Sequence, residues 1–165
     1  MRRILFIFVL LVLSSCIKEE NKGVTLEVGD ALPAFTVEMN DGTTVSDSDL
    51  KGAVSVVMFF HTSCPDCQKA LPRMQQIYDE YLERGVRFAL ISRAEGSELI
   101  DPYWEEHGLS MPYSPQPDRQ VYELFAKERI PRIYVNDKNG IIRAIFTDNP
   151  VPEYSDIKTA LDSSF

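Results

Sequence analysis

The chain has 165 residues, 44% of them apolar and 25% charged, which is the composition of one ordinary globular domain with a short appendage. Its 17 basic and 25 acidic residues leave a net charge of −8, which argues against an electrostatic grip on nucleic acid or on anionic lipid headgroups. Three cysteines are too few for a disulfide-dense scaffold or for a four-thiolate zinc site.

The N-terminus reads as an address. Met1-Arg2-Arg3 is basic, and Ile4 to Leu13 is an unbroken apolar run. A membrane-spanning helix needs about 20 apolar residues, so this run is too short to be one. A basic start, a short apolar stretch and small residues before a cut form a secretory signal. Leu13-Ser14-Ser15-Cys16 resembles the lipobox of bacterial lipoproteins. That resemblance implies removal of residues 1–15 and a lipid on the Cys16 sulfur, with several acyl chains giving a stable anchor. Losing Arg2 and Arg3 takes the net charge from −8 to −10, so the lipid rather than a basic patch must hold the membrane. Residues 16–27 then form the lipidated cysteine and a polar tether. Cys-Ile-Lys-Glu-Glu at its start resembles the surface-export tag of Bacteroidetes lipoproteins. The protein is therefore expected in the bacterial envelope, facing the periplasm or the surface.

Residues 28–165 read as one α/β domain. Phe35 to Met39 alternates apolar and polar, Asn40-Asp41-Gly42 is a turn, and Thr43-Thr44-Val45 resumes extended chemistry, so a hairpin is expected. Val54 to Phe60 is β-branched and aromatic and suits a strand buried on both faces. Pro65 stands where a helix takes proline in its first turn. Leu71, Met74, Ile77, Tyr78, Tyr81 and Leu82 follow at helical spacing, and Gly85 ends the run. Val86 to Ile91 is the next buried strand. Ser97 to His107 is expected to be helical, and Pro112 to Pro117 forms a loop. Asp118 is the expected N-cap of a helix through about Ala126. Ile133 to Val135, a turn at Asp137 to Gly140 and Ile141 to Phe146 form a second hairpin, and Glu153 to Leu161 is a closing helix. This order implies a mixed sheet with helices on both faces.

With Cys16 assigned to lipid, Cys64 and Cys67 remain, and an oxidising compartment lets them form a disulfide. The segment Phe59-Phe60-His61-Thr62-Ser63-Cys64-Pro65-Asp66-Cys67 lies between a buried strand and a helix. Pro72 lies inside that helix, and Ile130-Pro131 directly precedes a strand and a hairpin. Together these resemble the thioredoxin fold, in the form of the anchored thiol–disulfide oxidoreductases of the TlpA and ResA kind. The leader Val28 to Phe35, the stretch from Asp41-Gly42 to Leu50-Lys51-Gly52, and an extra helix before Pro131 support that form. The resemblance covers residues 28–165. It implies a cis peptide bond before Pro131, facing the dithiol, and an Ile130 backbone that pairs with an extended substrate. It also implies disulfides of exported proteins as substrates, with reduction as the direction and a membrane thiol carrier as electron donor. No metal or organic cofactor is required, because the dithiol itself holds two electrons.

The chemistry also follows from the residues. A cysteine at a helix N-terminus meets the positive end of the macrodipole and free N–H groups, both of which stabilise a thiolate. A second thiol one turn away is placed to attack a mixed disulfide and release product. Cys64 is therefore the expected nucleophile and Cys67 the resolving thiol. Pro65 pre-sets the first helical φ. Asp66 suits a helix start but opposes a neighbouring thiolate. His61, three residues before Cys64, is a candidate proton relay, with a loop-edge residue of no role as the alternative. His107 reads as a helix-end residue. Two positions depart from relatives: Met58 stands where thioredoxin has a buried aspartate, and Ala70 where some ResA-like proteins have a glutamate.

Three other readings compete. The leader is shared with peroxiredoxins, but their Pro-x-x-x-Thr/Ser-x-x-Cys motif fails at Val57 and His61. A non-enzymatic Cu(I) module would use Cys64, Cys67 and His61, although the related copper carriers separate their cysteines by three residues. A purely structural disulfide would be buried and inert to thiols.

Overall fold

The computed structural model describes residues 24–165. The signal peptide, the lipobox and Cys16 lie outside the described residues. The folded unit already includes Leu26, which is buried and donates its N–H to the Phe125 carbonyl at 2.9 Å. Packing thus reaches into residues assigned above to the tether.

The elements run β1 (Thr36–Glu38), β2 (Thr44–Ser46), α1 (Asp47–Leu50), β3 (Ser55–Phe60), α2 (Pro65–Tyr81) and β4 (Arg87–Ser92). There follow α3 (Ser97–Glu106), β5 (Tyr113–Ser114), α4 (Gln120–Glu123), β6 (Arg132–Asn136), β7 (Ile142–Phe146) and α5 (Tyr154–Asp162). β1 and β2 form the expected antiparallel hairpin. The main sheet has five strands in the order β5-β4-β3-β6-β7. β3, β4 and β5 are parallel, and β6 and β7 run antiparallel to their neighbours. This is the mixed sheet of a thioredoxin-like fold.

β3 is buried at all six positions, as its apolar run from Val56 to Phe60 requires, and the one polar residue, Ser55, is buried with them. Alternation along it divides the core in two. Phe60 faces Trp104 of α3 and Tyr113, at ring separations of 5.0 and 6.5 Å. Phe59 faces the other way, onto Tyr122 of α4 and Phe125 at 5.3 and 4.9 Å. Phe35 of the leader and Tyr134 of β6 close around Phe125 at 5.5 and 5.4 Å. Each such aromatic pair adds about 0.5–1.5 kcal/mol beyond its buried area. Helix α2 lies on the Phe60 side, where Tyr78 packs on Phe88 and Gln75 bonds to Ser110 beyond α3. Both faces of the sheet are therefore covered by helix.

The leader protects the sheet edges. Leu32 donates to Gly140 and Ile142 to Asp30, each at 2.9 Å, beside the start of β7. The chain then passes beneath the Phe59 face and brings Asn40 to the opposite edge, where its N–H meets the Tyr113 carbonyl at 2.7 Å. Exposed strand edges invite unwanted pairing, and this route occupies part of each.

Three local expectations change. Ser46 caps the unanticipated α1 through a reciprocal box with Asp49. The proline-rich loop contains β5, which pairs with Leu90 and Ile91 of β4. α4 is a single turn whose N-cap is Arg119, not Asp118; the Asp118 carboxylate instead accepts from the Gln120 N–H at 2.8 Å, one position too early for the cap.

Candidate active site

Topology brings the dithiol and the proline together. β6 is antiparallel to β3, so the start of β6 lies beside the end of β3, with Phe59 opposite Arg132. The loop leaving β3 therefore meets the loop entering β6 at one end of the sheet, where parallel and antiparallel neighbours divide.

Cys64 is the N-cap of α2, with extended backbone (φ −83°, ψ 118°), and Pro65 opens the helix. The first helical bond runs from the Gln68 N–H to the Cys64 carbonyl at 2.9 Å. The Cys64 side chain makes no capping bond, so its sulfur stays available beside the free N–H groups of the first turn. Cys64 is partly exposed, Cys67 is fully buried, and both are free thiols. Burial pushes the Cys67 thiol well above the ordinary range, against the smaller pull of the His61 backbone N–H and the Arg93 charge. The two thiols therefore differ, one accessible beside a helix N-terminus and the other buried behind it.

The Cys64 thiol donates to the Ile130 carbonyl oxygen at 3.6 Å, and the Ile130–Pro131 peptide bond is cis. The preceding Arg129 has φ +73° and donates from Nη1 to Asp148 at 3.1 Å. Its carbonyl accepts from the Tyr122 hydroxyl at 2.9 Å. The structure thus gathers Cys64, Cys67, Pro65, Ile130 and Pro131 at one end of the sheet.

Asp66 points outward and accepts from Lys69 Nζ at 2.8 Å, so its charge is shared with a cation one turn on. The His61 ring bonds within its own loop rather than to either cysteine. Its Nδ1 lies 3.2 Å from the Ser63 N–H, 3.0 Å from Ser63 Oγ and 3.6 Å from Glu95 Oε1. The His61 backbone serves the site instead, with its carbonyl accepting from the Cys64 N–H at 3.1 Å. His107 caps α3 and stacks on Tyr103 at 3.9 Å, as a helix-end residue. Met58 and Ala70 are both fully buried, so neither position supplies an acid beneath the dithiol.

Glu95, which no sequence pattern marks, also stands beside the site. It lies in the turn after β4, buried, with its carboxylate accepting from the Thr62 N–H at 2.8 Å and from the Thr62 hydroxyl. Nothing in its local sequence marks it, because its partner is 33 residues away.

The AhpC/TSA family model matches residues 28–145. The thiol-disulfide oxidoreductase ResA of Oceanobacillus iheyensis is 34% identical over 147 residues, covering 86% of this chain and 75% of its own. ResA of Bacillus subtilis is 23% identical over 137 residues, covering 81% and 76%. Among solved structures, a thiol:disulfide interchange protein DsbE from Chlorobium tepidum, described as putative, superposes with a TM-score of 0.75 at 19% identity, over 85% of this chain and 99% of that one. A protein disulfide isomerase from Bacteroides thetaiotaomicron, likewise described as putative, gives 0.75 at 21% identity, over 84% and 87%. These two likenesses show the fold. The chain belongs to the AhpC/TSA family of thioredoxin-fold proteins, among the thiol–disulfide oxidoreductases.

Proposed function

We propose that this oxidoreductase is anchored by lipid on Cys16 in the bacterial envelope and reduces disulfides of exported proteins. The observation that carries the reading is the asymmetry of the pair, with Cys64 partly exposed at a helix N-terminus and Cys67 buried one turn behind. In the first step the Cys64 thiolate attacks one substrate sulfur, the substrate S–S bond breaks, and a mixed disulfide forms. The departing substrate thiolate takes a proton. Cys67 then loses its proton and attacks Cys64, releasing the second substrate thiol and leaving the Cys64–Cys67 disulfide. An extended substrate pairs with the Ile130 backbone as an added strand. Ile130 before Pro131 resembles the reducing branch of the fold, which supports that direction. Continued reduction outside the cytoplasm requires a supply of electrons, and a membrane thiol carrier is the class of partner that provides them.

The deciding measurement is the reduction potential of the Cys64–Cys67 pair, equilibrated in defined thiol buffers. A value near or below about −250 mV is expected of an electron donor. A value of about −120 to −180 mV would overturn the direction and make the protein an oxidant or isomerase. Incorporation of labelled fatty acid, lost in Cys16→Ser, tests the anchor separately.

A further inference from the structure

We propose that Glu95 is a positioning residue for the nucleophile, acting through Thr62 as a clamp on the loop that carries Cys64. This rests on the reading of Cys64 as the attacking thiol. Thr62 lies two residues before Cys64 and is itself buried. Its N–H donates to Glu95 Oε2 at 2.8 Å, and its hydroxyl donates to Oε1. Its carbonyl accepts from Gln68 Nε2 at 2.8 Å, in the first turns of α2. Thr62 therefore spends every polar group it has on two elements, the turn after β4 on one side and the dithiol helix on the other.

Glu95 is held as firmly as it holds. Its N–H donates to Ser92 Oγ at 3.0 Å, and its carbonyl accepts from Ser92 Oγ at 2.7 Å and from the Gln116 N–H at 3.1 Å. A buried carboxylate is costly unless its oxygens are satisfied. Here both oxygens are satisfied by one residue, and that residue belongs to the active-site loop. His61 Nδ1 at 3.6 Å faces the same carboxylate from that loop. The arrangement fixes the exit of the chain from β3, and with it the place of the Cys64 sulfur against the helix N-terminus and the Ile130 carbonyl. Small misplacements of a reacting group are expensive, up to about a hundredfold in rate for about 1 Å.

Substitution separates the clamp from the charge. Glu95→Gln keeps both contacts, because the new side-chain carbonyl accepts from the Thr62 N–H while the amide donates to the Thr62 hydroxyl, which reverses its role. Glu95→Ala keeps neither. Thr62→Val removes the hydroxyl and leaves the Glu95 charge; Thr62→Ser restores the hydroxyl.

The test is the rate of Cys64 alkylation by iodoacetamide in the reduced protein at fixed pH, per folded molecule by circular dichroism, with the adduct located by mass spectrometry. Glu95→Ala and Thr62→Val are expected to slow alkylation about tenfold, while Glu95→Gln and Thr62→Ser stay within about threefold of the parent. If Glu95→Ala does not fold, the Thr62→Val and Thr62→Ser pair decides alone. Parent-like rates in Thr62→Val, or a Glu95→Gln rate as low as that of Glu95→Ala, would overturn the clamp. An adduct on Cys67 rather than Cys64 in the parent protein would instead overturn the assignment of the nucleophile.

Discussion

The sulfur of Cys64 and the carbonyl oxygen of Ile130 lie 3.6 Å apart, although 66 residues separate them in the chain. The antiparallel pairing of β3 with β6 creates this meeting, since it places the end of one strand beside the start of the other. The oxygen is a backbone atom, so the contact asks for no particular side chain at position 130. It accepts from the thiol in the free protein, and under the proposed function a substrate strand docking on the Ile130 backbone would arrive next to Cys64.

The asymmetric pair predicts asymmetric variants. Cys64→Ser is expected to lower disulfide exchange by about a thousandfold or more, because no exposed thiolate remains to attack. Cys67→Ser is expected to retain attack and to accumulate mixed disulfides, visible as adducts on non-reducing gels. Adducts in Cys64→Ser and none in Cys67→Ser would reverse the two roles.

Asp66 illustrates a charge that its neighbour blunts. Lys69 Nζ lies 2.8 Å from its carboxylate, and both side chains are substantially exposed. An exposed pair of this kind is weak, typically below about 1 kcal/mol, and solvent screens what remains. Asp66→Asn is expected to speed Cys64 alkylation by less than about threefold at low salt. An acceleration of tenfold would mean that the carboxylate acts on the thiolate unscreened, and a slower rate would refute the electrostatic reading.

The parts of this site legible from sequence are those encoded by neighbours. Val54 to Phe60 announces a buried strand, and Pro65 with the 3–4 spacing from Leu71 announces the helix, so the place of Cys64 at a helix start follows directly. The parts that were not legible are set by distant contacts. β5 has two residues among prolines, and it is a strand because Leu90 and Ile91 offer it a ladder. α1 has one buried residue, Leu50, and hence no periodicity; its only local mark was the Ser46 and Asp49 spacing of a capping box. Glu95 looks like any acid in a turn until β3 and β4 align and bring Thr62 to it.

Arg129 reverses an ordinary rule of substitution. With φ at +73°, a side chain at this position costs about 1 kcal/mol or more that glycine avoids. Its ion pair with Asp148, at 3.1 Å, is lost equally in Arg129→Gly and Arg129→Ala. The glycine variant is therefore expected to be the more stable of the two, by about 1 kcal/mol in urea unfolding, although alanine usually wins. Equal stability, or the usual order, would show that the backbone relaxes once the arginine is gone.

The docking of α5 on α2 should weaken in acid. Asp162 accepts from the Tyr81 hydroxyl at 2.7 Å, from Lys158 Nζ at 3.1 Å and from Arg84 at 3.1 Å. These contacts, the tyrosine bond foremost, hold its carboxyl at about 2 against an ordinary 3.8. A lowered folded value means that its contribution is present above about pH 4 and disappears as pH falls through about 2. Protection of the α5 amides against exchange, taken relative to the intrinsic rate at each pH, is expected to fall over that window, and less steeply in Asp162→Asn. Glu80, lowered chiefly by the Tyr154 hydroxyl and by Lys158, responds in the same sense, so part of the slope survives the substitution. Identical acid profiles for the variant and the parent would remove Asp162 from the account.

At the alkaline end the buried Cys67 contributes a slope of its own. In the unfolded chain a thiol titrates near about 8.5. Burial raises the Cys67 thiol in the folded chain, so it keeps its proton where the unfolded chain has lost one. Its contribution to stability is therefore intact below about pH 8.5 and declines as pH rises beyond it, by about 1.4 kcal/mol per pH unit. Reduced Cys67→Ser retains Cys64 and every tyrosine but has no thiol at position 67 to titrate. Urea unfolding of the two reduced proteins between pH 8.5 and 10 is expected to diverge by about that slope, with the parent losing stability faster. Parallel profiles would mean that Cys67 gives up its proton as readily in the folded chain as in the unfolded one. Its burial would then fail to set the Cys67 thiol apart from Cys64, and the order of attack proposed above would lose that support.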